Sequence, residues 1–122
     1  MGEHMNKIVE KIRDKAEQIV SVTKAAGKGK HVASMQHFYD VFTELPEVQK
    51  KEVSYLRSRF VLYTLHEDDI FMKMLERSDG HVLEIDVVEK GDVLTRYRSY
   101  EAKRGEQKIH IPESFVDRIG TS

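Results

Sequence analysis

Glycine-bearing turn signals punctuate the back half of the chain, at Ser78-Asp79-Gly80, Lys90-Gly91-Asp92 and Arg104-Gly105, and apolar residues alternate between them. Leu83, Ile85 and Val87 take every second position after the first turn; Val93, Thr95, Tyr97 and Ser99 do so after the second. A period of two sends successive side chains to opposite faces of an extended strand, so these runs read as strands. Connections this short join antiparallel neighbours, which makes a meander the expected arrangement. Just upstream, Val61, Tyr63 and Leu65, then Ile70, Met72 and Met74, alternate around His66-Glu67-Asp68-Asp69 and favour a hairpin. The pairs Ile70/Met74 and Phe71/Leu75 also fit a helix capped by Asp68, and the pattern leaves both open.

The front half carries a different period. From Asn6 to Ala26, Ile8, Ile12, Ala16, Ile19 and Thr23 recur every three to four residues, an amphipathic helix that the run Gly27-Lys28-Gly29-Lys30-His31 interrupts. Ser34 suits the cap of a second helix lined by Met35, Phe38 and Phe42. Pro46 suits the first turn of a third, with Val48, Glu52, Tyr55, Leu56 and Phe60 on one face as far as about Arg59. Near the C-terminus a short strand over Lys108–Ile111 leads through Pro112 into a helix that Gly120 ends. The expected fold class is therefore α+β: about three N-terminal helices, an antiparallel β-meander and a short C-terminal helix. Residues 1–31 form a helix and linker. Residues 32–122 form one α+β domain, with a helical hairpin over 34–59, a β-rich part over 60–111 and the terminal helix over 112–120.

Composition narrows function mainly by exclusion. The 122 residues include no cysteine, which rules out disulfides, thiolate metal sites and cysteine nucleophiles. No apolar run approaches the roughly 20 residues of a membrane span, so no membrane association and a cytoplasmic setting are expected. Net charge is -1, but lysine and arginine outnumber aspartate and glutamate seven to four in residues 1–31 and six to four in 93–122, against seven to thirteen between. A nucleic-acid contact would therefore be local.

The segment with most directional content is Val93 to Gly120. A turn at Gly105 precedes Ile109-His110-Ile111-Pro112-Glu113-Ser114-Phe115-Val116-Asp117-Arg118-Ile119-Gly120. This resembles the first half of the swapped-hairpin domain of AbrB-type transcription regulators, in which a basic hairpin runs into Ile-x-Ile-Pro, a short helix and a closing glycine. Phe115 and Ile119 stand at the helix's apolar positions. The likeness covers under a quarter of the chain. It implies a homodimer that contacts duplex DNA through the basic side chains Arg96, Arg98, Lys103, Arg104 and Lys108. Independently of the family, Pro112 ends the strand and pre-sets the helix.

Other constellations are weaker. His37-x-x-Asp40 and His66 beside Glu67, Asp68 and Asp69 lack the paired histidines of a zinc enzyme, so no metal or cofactor is expected. Asp86 with Glu101-Ala102-Lys103 has the residue types of a metal-dependent nuclease, but such spacing is common in a charged sheet, and the expectation is that the protein is not an enzyme. Tyr55, Phe60, Tyr63, Phe71, Met72 and Met74 suit a core between the two halves, or in part a partner groove. The functional expectation is a small DNA-binding regulatory homo-oligomer. The alternative is a protein-interaction or assembly module that uses its N-terminal helices.

Overall fold

The computed structural model describes residues 29–101 and 108–120. The helix expected over Asn6–Ala26, most of the glycine linker and the turn at Arg104-Gly105 lie outside the described residues. Within them, strand β1 (His31–Ser34) runs directly into helix α1 (Met35–Phe42). Five strands follow: β2 (Gln49–Tyr55), β3 (Ser58–Glu67), β4 (Ile70–Arg77), β5 (Val82–Glu89) and β6 (Asp92–Arg98). Strand β7 (Lys108–Ile111), a 3-10 turn at Glu113–Phe115 and helix α2 (Val116–Ile119) complete the order. None of the described helices is long and apolar enough to cross a membrane.

The expected fold class needs correction in the front half. The described part is mostly antiparallel sheet, and its two α-helices are α1 and α2. The helix expected to follow Pro46 is strand β2, paired along its whole length with β3 from Gln49↔Thr64 to Tyr55↔Ser58. The helical face drawn through Val48, Glu52, Tyr55, Leu56 and Phe60 is scattered: Val53 is buried, Glu52 is exposed and Leu56 is 73% exposed. A strong neighbouring strand explains the outcome. Phe60 to Leu65 is rich in aromatic and branched residues, and its backbone groups reward an extended Gln49–Tyr55 more than a modest helix propensity rewards a coil. Leu56, at φ 56°, takes the left-handed conformation that closes the tight turn between β2 and β3.

The five strands β2 to β6 pair in sequence order as one antiparallel sheet. Residues 60–76, ambiguous in period, are extended, with β3 and β4 in register from Phe60↔Arg77 to Glu67↔Ile70. Strand β7 leaves this meander and pairs antiparallel with β1, from His31↔Ile111 to Ser34↔Lys108. The Thr95 hydroxyl ties the small sheet to β6, accepting the His110 N–H at 2.7 Å.

The cross-strand register sorts the large sheet into two faces. One carries Tyr63, Leu65, Met72, Met74, Ile85 and Val87, and packs against Phe38 and Phe42 of α1, Ile109 and Ile111 of β7, and Phe115 and Ile119 beyond it. Phe38 and Phe42 stack with ring centroids 4.8 Å apart. Each arm of the small sheet thus passes through a cap or proline into a short helix whose apolar residues enter the same core. The Ser34 hydroxyl caps α1 by accepting the His37 N–H at 3.1 Å. The His37 ring in turn reaches the Ile119 carbonyl, with 2.6 Å from Nε2 to the oxygen, and ties the two helices together.

Candidate nucleic-acid interface

The second face of the sheet settles where several charged residues go. It holds a small apolar cluster of Phe71, Val88 and Val93 beside four buried ionic side chains. Lys73 of β4, Glu84 and Asp86 of β5 and Arg98 of β6 are each 5% exposed or less. Lys73 Nζ stands 2.7 Å from Glu84 Oε1 and 3.3 Å from Asp86 Oδ2. The Arg98 guanidinium donates to both oxygens of Asp86, at 2.9 and 3.2 Å, and its Nε lies 3.7 Å from Glu84. Two acids and two bases balance within the network, which is how buried charge is tolerated. Burial opposes the charged guanidinium of Arg98, but the bonds to Asp86 and the charges of Asp86 and Glu84 outweigh it and raise its pKa.

The basic positions expected on the C-terminal hairpin are therefore not equivalent. Arg98 is a buried structural cation, unable to meet a phosphate without dismantling the network. Arg96 is on the same face but exposed, paired with Glu101 at 2.9 Å. Lys108 is exposed at the start of β7, beside Ser34 of β1 across the ladder. Lys103 and Arg104 lie outside the described residues. The nuclease-like set is not assembled either: Asp86 is held by Arg98 and Lys73, and Glu101 by Arg96. Among the described residues no group of three or more histidine, aspartate or glutamate side chains could hold a metal ion.

A different set of cations stands clear of such compensation. The β2–β3 hairpin exposes Lys50, Lys51, Arg57 and Arg59, with Glu52 the one acid between Gln49 and Phe60. Lys50 rests its ammonium 5.6 Å from the Tyr63 ring centroid. The side chains of Lys51, Arg57 and Arg59 enter no ion pair with the described residues. Among the described residues the other solvent-facing arginines all do: Arg77 with Asp79 at 2.7 Å, Arg96 with Glu101, and Arg118 with Glu67 at 2.9 Å. Asp79, bonded by Arg77 and by the His81 N–H, has its pKa pulled down to about 2.

The hairpin is also placed to reach outward. The β3–β4 ladder begins at Phe60 and the Arg59 carbonyl accepts the Ser78 N–H at 2.9 Å just beyond it, so Ser58 and the turn at Leu56-Arg57 overrun the sheet with Arg59 at its margin. The opposite end of the same sheet is acidic: the β3–β4 and β5–β6 turns present Glu67, Asp68, Asp69, Glu89 and Asp92 with Lys90. Nine rises of a strand separate the ends of β3, about 30 Å. The described sheet is thus polarised along its strands, with arginines free of ion pairs at one end and, at the other, carboxylates of which Glu67 is paired with Arg118.

Sequence reasoning missed this hairpin because it assigned Pro46–Arg59 to a helix. The available signal is the alternation of Val53 with Tyr55 and the lack of a glycine to end a helix before Phe60. Compared with protein-family models, curated proteins and solved structures, the chain matches none.

Proposed function

We propose that the protein is a small nucleic-acid-binding regulatory protein and that duplex DNA meets it at the β2–β3 hairpin. The observation that carries this reading is the state of the arginines: Arg57 and Arg59 are exposed and without ion pairs among the described residues, whereas Arg77, Arg96 and Arg118 are each paired. Lys50 and Lys51 carry less weight, since lysine on an edge strand also serves to deter unwanted strand pairing. Arginine forks suit phosphate oxygens and guanine edges. A two-stranded ribbon has the width that the major groove of B-DNA admits. Leu56 at the tip adds an apolar contact for a base edge or step. The acidic far end turns away from the phosphates and sets the orientation of approach. Lys108 and Arg96 lie outside the main contact, and Arg98 supports the fold. A cytoplasmic setting goes with this reading.

The test is fluorescence anisotropy on a labelled duplex across a salt series. Binding should weaken as salt rises, with a log–log slope near -3 for about three phosphate contacts. Arg57→Ala and Arg59→Ala should each lower affinity on every sequence and reduce the slope by about 1, while Arg96→Ala should change neither appreciably. Absence of duplex binding at low salt, or equal effects from Arg57→Ala and Arg96→Ala, overturns the reading.

A further inference from the structure

An open cleft of about 1040 Å³ lies between β1, the first turns of α1 and the β4–β5 connection. Its chemically informative lining is Met35, Tyr39, Glu76, His81, Tyr97 and Lys108. Glu76 stands out because it projects from the core face of β4, is 7% exposed and still lines the cleft. Its Oε1 accepts the Tyr63 hydroxyl at 2.9 Å and its Oε2 the Tyr39 hydroxyl at 2.5 Å. The hydrogen bond to Glu76 and burial raise the Tyr39 phenol to about 12, and burial with the same carboxylate raises Tyr63 as well, so both act as donors.

A clamp between helix and sheet accounts for those two bonds. It does not account for the open volume that Glu76 lines, or for the backbone beside it. The β4–β5 register slips between Leu75 and Glu76, so that Glu76 faces Val82 and Leu83 is left over as a bulge. Bulges of this kind re-aim side chains and recur beside binding sites. Each oxygen of Glu76 keeps a second acceptor site after the tyrosine bonds. In a partly dehydrated setting that acceptor favours a cationic donor. Lys108 supplies a positive charge on the β7 wall, Val32, Met35 and Val82 supply apolar surface, and Ser34, Gln36 and His81 add neutral or basic polar groups but no second carboxylate.

We propose that this cleft binds a small zwitterion with an aromatic body: its ammonium group on Glu76, its ring between Met35 and Tyr97, and its carboxylate toward Lys108. The cleft exceeds a single amino acid in size and leaves water on the open side, within the range that small-molecule sites occupy. The site is independent of the nucleic-acid reading and stands or falls separately.

The experiment is an NMR titration of the full chain with three related probes: L-phenylalanine, phenethylamine, which lacks its carboxylate, and 3-phenylpropionate, which lacks its ammonium group. L-phenylalanine should bind most tightly, phenethylamine next and 3-phenylpropionate least, with shifts at the amides of Gly80, His81, Val82 and Lys108. Glu76→Gln keeps an oxygen for the tyrosines and should weaken both amines about tenfold or more. Lys108→Ala, at an exposed position, should remove the advantage of L-phenylalanine over phenethylamine and leave the latter unchanged; this arm stands even if the Glu76 variant folds poorly. Tightest binding of 3-phenylpropionate, unmoved cleft amides, or indifference of L-phenylalanine to Lys108→Ala overturns the proposal.

Discussion

Breaking the buried network at Asp86 should separate its structural role from any role in binding. Asp86 is fully buried, accepts two bonds from Arg98 and lies 3.3 Å from Lys73. Asp86→Asn keeps the shape but leaves two cations facing Glu84 alone among the four, an uncompensated charge inside the sheet. Loss of one partner from such a network costs about 3–5 kcal/mol. Single domains are stable by roughly 5–15 kcal/mol, so the variant should remain folded but weakened. At about 4 °C per kcal/mol for a domain of intermediate size, the melting temperature should fall by roughly 12–20 °C. Lys73→Met leaves the opposite imbalance. In Lys73→Met/Asp86→Asn the remaining pair, Glu84 and Arg98, balances again. The double variant should therefore lose less than the sum of the singles, with a coupling of about 1–3 kcal/mol. Urea denaturation of the four proteins measures the cycle, provided the m-value is shared. Single losses below about 1 kcal/mol that simply add would show that the network is not a buried, mutually compensating unit.

The remaining expectations test how the small sheet and its helices are held. Ser34→Ala removes the α1 cap and should cost about 1 kcal/mol in urea denaturation. Gly120 adopts φ 80°, and a Cβ there would stand 3.2 Å from His37 Nε2, so Gly120→Ala should lower the denaturation midpoint through both backbone strain and disturbance of the His37 contact. For the tyrosine pair, a folded pKa raised above its ordinary value of 10 gives stability that is complete below pH 10 and disappears as pH rises through the raised value, about 12 for Tyr39. Alkaline unfolding should accordingly set in above pH 10, with a late tyrosinate absorbance step that Glu76→Gln moves to lower pH.

What could be read from the sequence divides by how local its cause is. The turns at Ser78-Asp79-Gly80 and Lys90-Gly91-Asp92, with the alternation after each, depend on backbone chemistry within a few residues, and β5 and β6 lie where those patterns place them. The Ser34 cap and α1 are similarly local. Strand β2 was not legible, because Gln49–Tyr55 has no strong preference of its own and becomes extended only by pairing with β3. The partnership of β7 with β1 is more remote still, since nothing near Lys108 announces a partner at Ser34. The site suffered from both effects. Arg98 looked like a surface cation because charge in a strand says nothing about which face is covered, and its burial depends on Asp86 and Lys73 from two other strands. Arg57 and Arg59 were hidden inside a helix assignment, so their freedom from ion pairs with the described residues could not be seen. Glu76 was unremarkable in sequence and acquires interest only when Tyr39, Tyr63 and a bulge converge on it.

The arginines show why a net charge of -1 tells little about binding. Each guanidinium carries the same charge, but its availability depends on what the fold has placed beside it. Arg98 has been spent on the interior, where releasing it would leave Asp86 buried without its main partner. Arg77, Arg96 and Arg118 could be diverted to a phosphate only by giving up carboxylates that already satisfy them. Arg57 and Arg59 would give up no carboxylate among the described residues, and their counterions leave with a gain in entropy when a polyanion replaces them. Electrostatic attraction is therefore strongest where compensation is least, even though the region around the hairpin is acidic in sequence. The same reasoning applied with opposite sign selects Glu76: it receives two neutral donors and no cation among its hydrogen bonds, so a cationic ligand gains there what a cation near Asp86 or Glu67 could not.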